Sequence, residues 1–164
     1  MLIEAGPQDQ QELRMLRDYG LIYAGAPQAE NLILAGPVSV TLQVSSDCPD
    51  TDIVAKLIEV LPDGQALLLM DGVARAMLRG DGRVPKPLHP GEQVELVIQL
   101  GHIHHTVYAG HRLEIDITGS NFPRRALNAN SGNLDRAADA DLQIAANTVH
   151  HGQGACYVEL TVLT

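Results

Sequence analysis

Gly36-Pro37-Val38-Ser39-Val40-Thr41-Leu42-Gln43-Val44-Ser45 decides the fold. Val38, Val40, Leu42 and Val44 alternate strictly with Ser39, Thr41, Gln43 and Ser45, and a period of two is the signature of a strand with one buried face. The same alternation returns in Val94, Leu96, Ile98 and Leu100, in Leu113, Ile115 and Ile117 against Glu114, Asp116 and Thr118, and in Cys156, Val158, Leu160 and Val162. Leu57 to Leu61 and Ala66 to Leu69 flank Pro62-Asp63-Gly64, where Asp-Gly supplies the positive φ of a tight turn, so this pair reads as an antiparallel hairpin. Asp71-Gly72 and Asp81-Gly82 read as further turns. Gly36-Pro37, Pro85, Pro87 and Pro90-Gly91 read as loops.

Short strands between turns, without helical patterns of 10 to 15 residues to join them, predict an all-β chain folded as an antiparallel sandwich of two sheets rather than βαβ units. A single domain over residues 1–164 is expected. Residues 1–18 form a leader that is irregular or carries a short helix over residues 9–17, where Leu13 and Leu16 share a face. Residues 120–140 are polar and too long for an ordinary connection, which marks a functional or mobile loop.

Composition narrows the function. Eleven basic against 20 acidic side chains leave a net charge of −9, and aromatics make up 3%, with one Phe and no Trp. Nucleic acid is an unsuited partner for such a surface. Apolar runs stay far below the roughly 20 residues that cross a bilayer, so no membrane contact is expected. The start shows neither a basic segment nor an apolar one of the secretory kind, and the expected location is the cytoplasm. Cys48 and Cys156 are read as free thiols.

Several residue groups bear on chemistry. No Gly-x-Ser-x-Gly elbow, phosphate loop or dinucleotide fingerprint occurs, so no catalytic residue and no cofactor are expected. Seven histidines cluster as His102, His104, His105, His111, His150 and His151, with His89 apart. His102 and His104 at i and i+2 of a strand would share a face, and His150 or His151 would complete a metal site. The alternative is that residues 101–108 place them as ordinary polar side chains in a loop or at a sheet edge. Asp47, Asp50 and Asp52 offer oxygens for calcium but lack the spacing of an EF-hand loop, which favours turn capping. Asp52, at the start of an apolar strand, is expected to pair with a guanidinium such as Arg75 or Arg112. In the polar loop, Asn121, Phe122, Arg124 and Arg125 have the residue types that anchor interfaces. Alternatively Phe122 plugs one end of the core. A sugar-binding module would want aromatic platforms, and only Tyr19, Tyr23, Tyr108 and Tyr157 are offered for that.

Taken in order, residues 36–47, 49–64 and 69–79, the Ala109-Gly110-His111-Arg112 strand, Ser120-Asn121-Phe122-Pro123-Arg124, Asn128-Ala129-Asn130-Ser131-Gly132, Thr148-Val149-His150-His151-Gly152 and Tyr157-Val158-Glu159-Leu160-Thr161-Val162 resemble the C-terminal non-catalytic domain of the X-Pro dipeptidyl-peptidase and cocaine esterase-like serine hydrolases. The resemblance runs from about residue 10 to the end. It implies a jelly-roll sandwich of the galactose-binding-like kind, attached to an α/β-hydrolase catalytic domain in the same or a separate chain, with a homo-oligomer as a further possibility. The catalytic triad lies in that other domain, and neither His111 nor His150 stands in for its histidine. Asp52, Arg75, His111, Arg112, Asn121, Phe122 and Arg124 are then structural or interface candidates, and His102, His104 and His150 the metal candidates. The histidines of residues 101–107 and the Arg124-Arg125-Ala126-Leu127 run depart from the family pattern. The expected function is an accessory one, stabilising a peptidase or esterase and shaping its cleft. The competing reading is a free-standing module for a carbohydrate or other small ligand, and metal-assisted hydrolysis by the histidines ranks last.

Overall fold

Aliphatic and β-branched side chains at every second position favour extended chain, because they pack well on a pleated surface. In the computed structural model, which describes residues 8–16, 20–134, 142–152 and 155–163, that preference produces β1 (Leu21–Ala24), β2 (Leu32–Ser45), β3 (Asp52–Val60), β4 (Ala66–Arg75), β5 (Val94–Val107), β6 (Arg112–Thr118), β7 (Thr148–Val149) and β8 (Tyr157–Leu163). One sheet has the order β1-β6-β3-β4; the other has the order β5-β2-β7, with β8 also paired to β2. Every pairing is antiparallel. The chain alternates between the sheets as a jelly roll does, so the all-β sandwich read from the sequence is the observed one.

Between the sheets lie Leu34, Val38, Val40, Leu42 and Val44 of β2, Ile53, Ala55 and Leu57 of β3, Val94, Leu96 and Ile98 of β5, and Ile115 and Ile117 of β6. Those of β2 from Val38 onward, of β5 and of β6 are the apolar members of the alternating patterns. The hairpin also forms as expected: Val60 pairs with Ala66, and Gly64 takes a φ of +93°.

Three readings need correction. Gly36-Pro37 is inside β2, not a loop. A Cβ on Gly36 would meet the Thr161 side chain at 2.8 Å. The pairing with β8 skips from Leu34 to Val38, across Pro37, so that ladder is interrupted where the proline lacks its N–H, while Pro37 stays in register with His102 of β5. Asp71-Gly72 is likewise inside β4 rather than a turn. There the glycine serves sheet packing: an added Cβ would lie 2.4 Å from the Gln99 carbonyl oxygen of β5. Residues 101–107 belong to β5 rather than to a loop, which leaves the edge-strand alternative for their histidines. Asp81-Gly82 is a turn, with Gly82 at a φ of +69°.

The leader is ordered where it is described. Gln8 and Gln10 bond the β4 backbone, from Leu68 N to Gln8 O at 2.9 Å and from Gln10 N to Ala66 O at 2.7 Å. A four-residue helix α1 (Gln11–Arg14) follows, shorter than the 9–17 expected, and Arg17 lies outside the described residues. Arg14 then reaches the outer face of the first sheet, where it pairs with Glu114 and Asp116. The polar face of β6, whose alternation suggested solvent, is therefore buried.

Candidate functional site

The start of β3, the end of β4 and the loop at residues 126–133 meet at one end of the sandwich around Asp50. This carboxylate is wholly buried and accepts three bonds: from Arg75 Nε at 2.5 Å, from the Met77 backbone N–H at 3.0 Å and from Asn128 Nδ2 at 3.1 Å. Asn128 Nδ2 also donates to Asp52 Oδ1 at 2.7 Å, and its own carbonyl oxygen accepts the Asn130 N–H at 2.9 Å. Asn130 takes a φ of +59°, a conformation that Asn tolerates better than most residues. Arg75 spans the group by donating to the Asn133 carbonyl at 3.0 Å. A cavity of about 140 Å³ opens here, lined by Asp52, Arg75, Asn128 and Asn133.

Asp52 and Arg75 are register partners across β3 and β4, but the expected ion pair between them is replaced. The Arg75 Nε goes to Asp50, while Arg112 bonds Glu114 at 2.5 Å. Burial raises the Asp52 pKa and the Asp50 charge adds to this, outweighing the Asn128 hydrogen bond and the Arg75 and Arg125 charges that lower it. Asp47 Oδ1 accepts the Ala146 N–H at 2.8 Å and Asn147 Nδ2 donates to Thr51 Oγ1 at 2.9 Å. Asp47 thus caps loop backbone, as Asp50 does for Met77 N, whereas Asp52 bonds the Asn128 side chain.

Beside this cluster the loop is pinned to β4. Asn121 Nδ2 donates to Asp71 Oδ2 at 2.5 Å and Arg124 contacts Asp71 Oδ1 at 2.7 Å. Phe122 does not plug the core, because it stands between these two anchors with 66% of its surface exposed.

The outer face of the first sheet carries a ladder of charge. Lys56 is opposite Asp71 on one side and Asp116 on the other, and its Nζ donates to Gln10 Oε1 at 3.1 Å. Burial lowers the Lys56 pKa, with Asp116 and Asp71 opposing the shift. Burial alone would raise Glu114, but the Arg14 and Arg112 guanidiniums hold it below its ordinary range. At the opposite end of the core, buried Glu59 receives His105 Nε2 at 2.8 Å and His111 Nδ1 at 2.7 Å.

His102 and His104 pair with Pro37 and Ala35, whereas Thr148, two residues before His150, pairs with Ser45 on the other side of β2. The eight residue steps of strand from Pro37 to Ser45 span roughly 26 Å, so these histidines do not converge. Among the described residues no three His, Cys, Asp or Glu side chains are placed to hold a metal. His150 Nε2 instead bonds Ser45 Oγ at 2.8 Å. Among the described residues no carboxylate bonds the other ring nitrogen, and Ser45 is buried, so this pair lacks the orienting acid and the access of a catalytic serine. Both thiols are free.

Asp50, Lys56, Glu59, Glu114 and Asp116 are the structurally important charges that sequence reasoning underrated. Lys56 and Glu59 carried the clearest signal, as charges inside the otherwise apolar run of β3, and a charge kept in a buried strand needs a partner.

The comparisons agree with this architecture. The family described as the X-Pro dipeptidyl-peptidase C-terminal non-catalytic domain matches residues 7–158. A cocaine esterase from Rhodococcus sp. (strain MB1 Bresler) is 34% identical over 148 residues, which cover 90% of this chain and 26% of the esterase. A crystal structure of an aminopeptidase from the marine sediment archaeon Thaumarchaeota archaeon superimposes with a TM-score of 0.88 at 28% identity, over 96% of this chain and 28% of the aminopeptidase. An α-amino acid ester hydrolase gives a TM-score of 0.86 at 28% identity, over 96% of this chain and 27% of its own. The chain spans about a quarter of the length of these relatives.

Proposed function

This chain belongs to the X-Pro dipeptidyl-peptidase C-terminal non-catalytic domain family, and on that footing we propose that it serves as the accessory domain of a larger hydrolase of peptide or ester bonds, stabilising that enzyme and shaping its cleft. The partner is a catalytic domain of the α/β-hydrolase type, carried in the same polypeptide or in a separate one. The observation that carries the reading is the loop at residues 121–124. Asn121 and Arg124 are both fixed to Asp71, so Phe122 is presented to solvent from a rigid base. Aromatic side chains and arginine are enriched at protein interfaces, and here an exposed aromatic stands beside a half-exposed arginine. In this role the loop walls the substrate cleft or an oligomer contact beside it.

The test co-expresses the 164-residue chain with the remaining three quarters or so of the Rhodococcus cocaine esterase and follows p-nitrophenyl ester and X-Pro peptide hydrolysis. Phe122→Ala with Arg124→Ala is expected to lower kcat/KM or association roughly tenfold, the effect of losing one interface anchor. Unchanged kinetics and unchanged association would refute the role of this loop.

A further inference from the structure

β8 faces the interior of the sandwich without a lid. Val158, Leu160 and Val162 stand opposite Val40, Val38 and Leu34 of β2. Directly opposed residues share a face, and those three β2 residues are at most 1% exposed. Their β8 neighbours therefore point toward the same core. Yet Val158 is 37% and Val162 42% exposed. Across the gap, β1 ends the other sheet and pairs only with β6 among the described residues. β8 thus overhangs a sheet that does not reach beneath it.

Between the two edge strands lies a cavity of about 350 Å³, walled by Tyr23, Leu113 and Leu160 and reaching down to Val40, Leu42 and Leu57. Tyr157 also lines it, and Leu21, Ile22 and Leu163 are further exposed apolar side chains on the same two strands. Edge strands are ordinarily protected by lysine, proline or a covering element. Neither Leu21–Ala24 nor Tyr157–Leu163 contains Lys, Arg or Pro, and among the described residues no strand pairs with the outer edge of β8. An apolar surface of this kind marks a binding site. The relatives are about four times as long as this chain, so a large body of protein stands beside the equivalent domain in each of them.

We propose that the β1/β8 side, with the cavity between the strands, seats an apolar segment of the catalytic portion, whose side chains fill the cavity. This rests on the accessory-domain reading and assigns a docking face separate from the loop at residues 121–124, which is pinned to β4 at the other edge of the first sheet. The cavity chemistry defines the guest. Tyr23 OH is engaged by His151 Nε2 at 3.3 Å, and the Glu114 carboxylate at the wall is held by Arg14 and Arg112. A charged guest would lose its hydration there without gaining a partner, so the entering side chains are uncharged and of the Leu, Met or Phe type. The outer edge of β8 offers its backbone N–H and C=O groups to an extended segment alongside.

The experiment is association of the co-expressed catalytic portion with wild-type chain and with Val158→Asp and Val162→Asp, measured by co-purification and sedimentation velocity. Melting of each chain alone reports its folding. Both aspartates are expected to weaken the complex at least about tenfold while the chain alone still melts cooperatively, with Val162→Asp, farther from the deepest part of the cavity, as the milder replacement. A wild-type complex that survives both aspartates overturns the docking face and leaves the accessory role standing. No complex with the wild-type chain overturns both. A self-associated chain that either aspartate dissolves, without binding the catalytic portion, makes the occupant a second copy and also overturns the proposal.

Discussion

Replacing Asp50 by Ala removes the acceptor on which one end of the sandwich converges. The carboxylate is fully buried and receives Arg75 Nε, Met77 N and Asn128 Nδ2. Removing one partner of a buried ion pair costs about 3–5 kcal/mol, mostly because the other charge is stranded. Here the Arg75 side chain is 28% exposed and keeps its bond to the Asn133 carbonyl, so water can reach it and the low end, about 3 kcal/mol, applies. At about 2–4 °C per kcal/mol for a chain of this size, the melting temperature falls roughly 6–12 °C, read by calorimetry at neutral pH. Asp50→Asn keeps an oxygen for Met77 N but gives up the charge, and should cost roughly half as much. Asp52→Asn behaves differently. Burial disfavours the Asp52 charge in the fold, so a neutral amide there leaves the melting temperature close to that of the wild type. An Asp50→Ala chain melting within about 2 °C of wild type, or Asp52→Asn costing as much as Asp50→Asn, would refute the assignment of Asp50 as the hub.

Arg14→Ala should detach the leader, because Glu114 and Asp116 are almost fully buried beneath it. The expected loss is about 3–5 kcal/mol, with faster proteolysis or hydrogen exchange at residues 8–16; an unchanged exchange pattern would contradict the leader's role. The lowered Glu114 pKa stabilises the fold above the ordinary carboxylate range, and this stability is lost as pH falls through the depressed folded value. Wild type should therefore lose melting temperature more steeply than Glu114→Gln below about pH 4, and parallel curves would count against the coupling. Gly72→Ala drives a methyl into the Gln99 carbonyl and should cost about 1–3 kcal/mol. A Cβ on Gly91 meets nothing within 4 Å, so Gly91→Ala carries only the strain of its positive φ, about 1–2 kcal/mol, and the smaller drop in its melting curve is the control.

The strands were legible because burying one face writes a period of two into the sequence, as β2, β5, β6 and β8 show. Loop-forming residues were less informative. Gly36-Pro37 and Asp71-Gly72 look like turns because glycine and proline favour them, yet both sit in strands, where Gly36 and Gly72 admit the close approach of Thr161 and Gln99. Those approaches are tertiary, and no local pattern encodes them. The same is true of Glu114 and Asp116. Their alternation with apolar neighbours is that of a solvent-facing edge, and the arginine that buries them lies about a hundred residues earlier in the chain. At the candidate site the pairing differs from the one read from the sequence: Arg75 bonds Asp50 rather than its register partner Asp52, and Asn128, 76 residues beyond Asp52, bonds both carboxylates. Phe122 could be read either as a core plug or as an interface anchor, and its exposure removes the first of these.

The most direct measurement of the central claim is ester and X-Pro peptide turnover in three samples: the chain alone, the catalytic portion of the cocaine esterase alone, and the two co-expressed, with the half-life of activity on heating followed in each. The accessory-domain account expects no turnover from the chain alone and a longer-lived activity in the co-expressed pair than in the catalytic portion. Turnover by the chain alone, or a catalytic portion equally active and durable without it, would contradict the account.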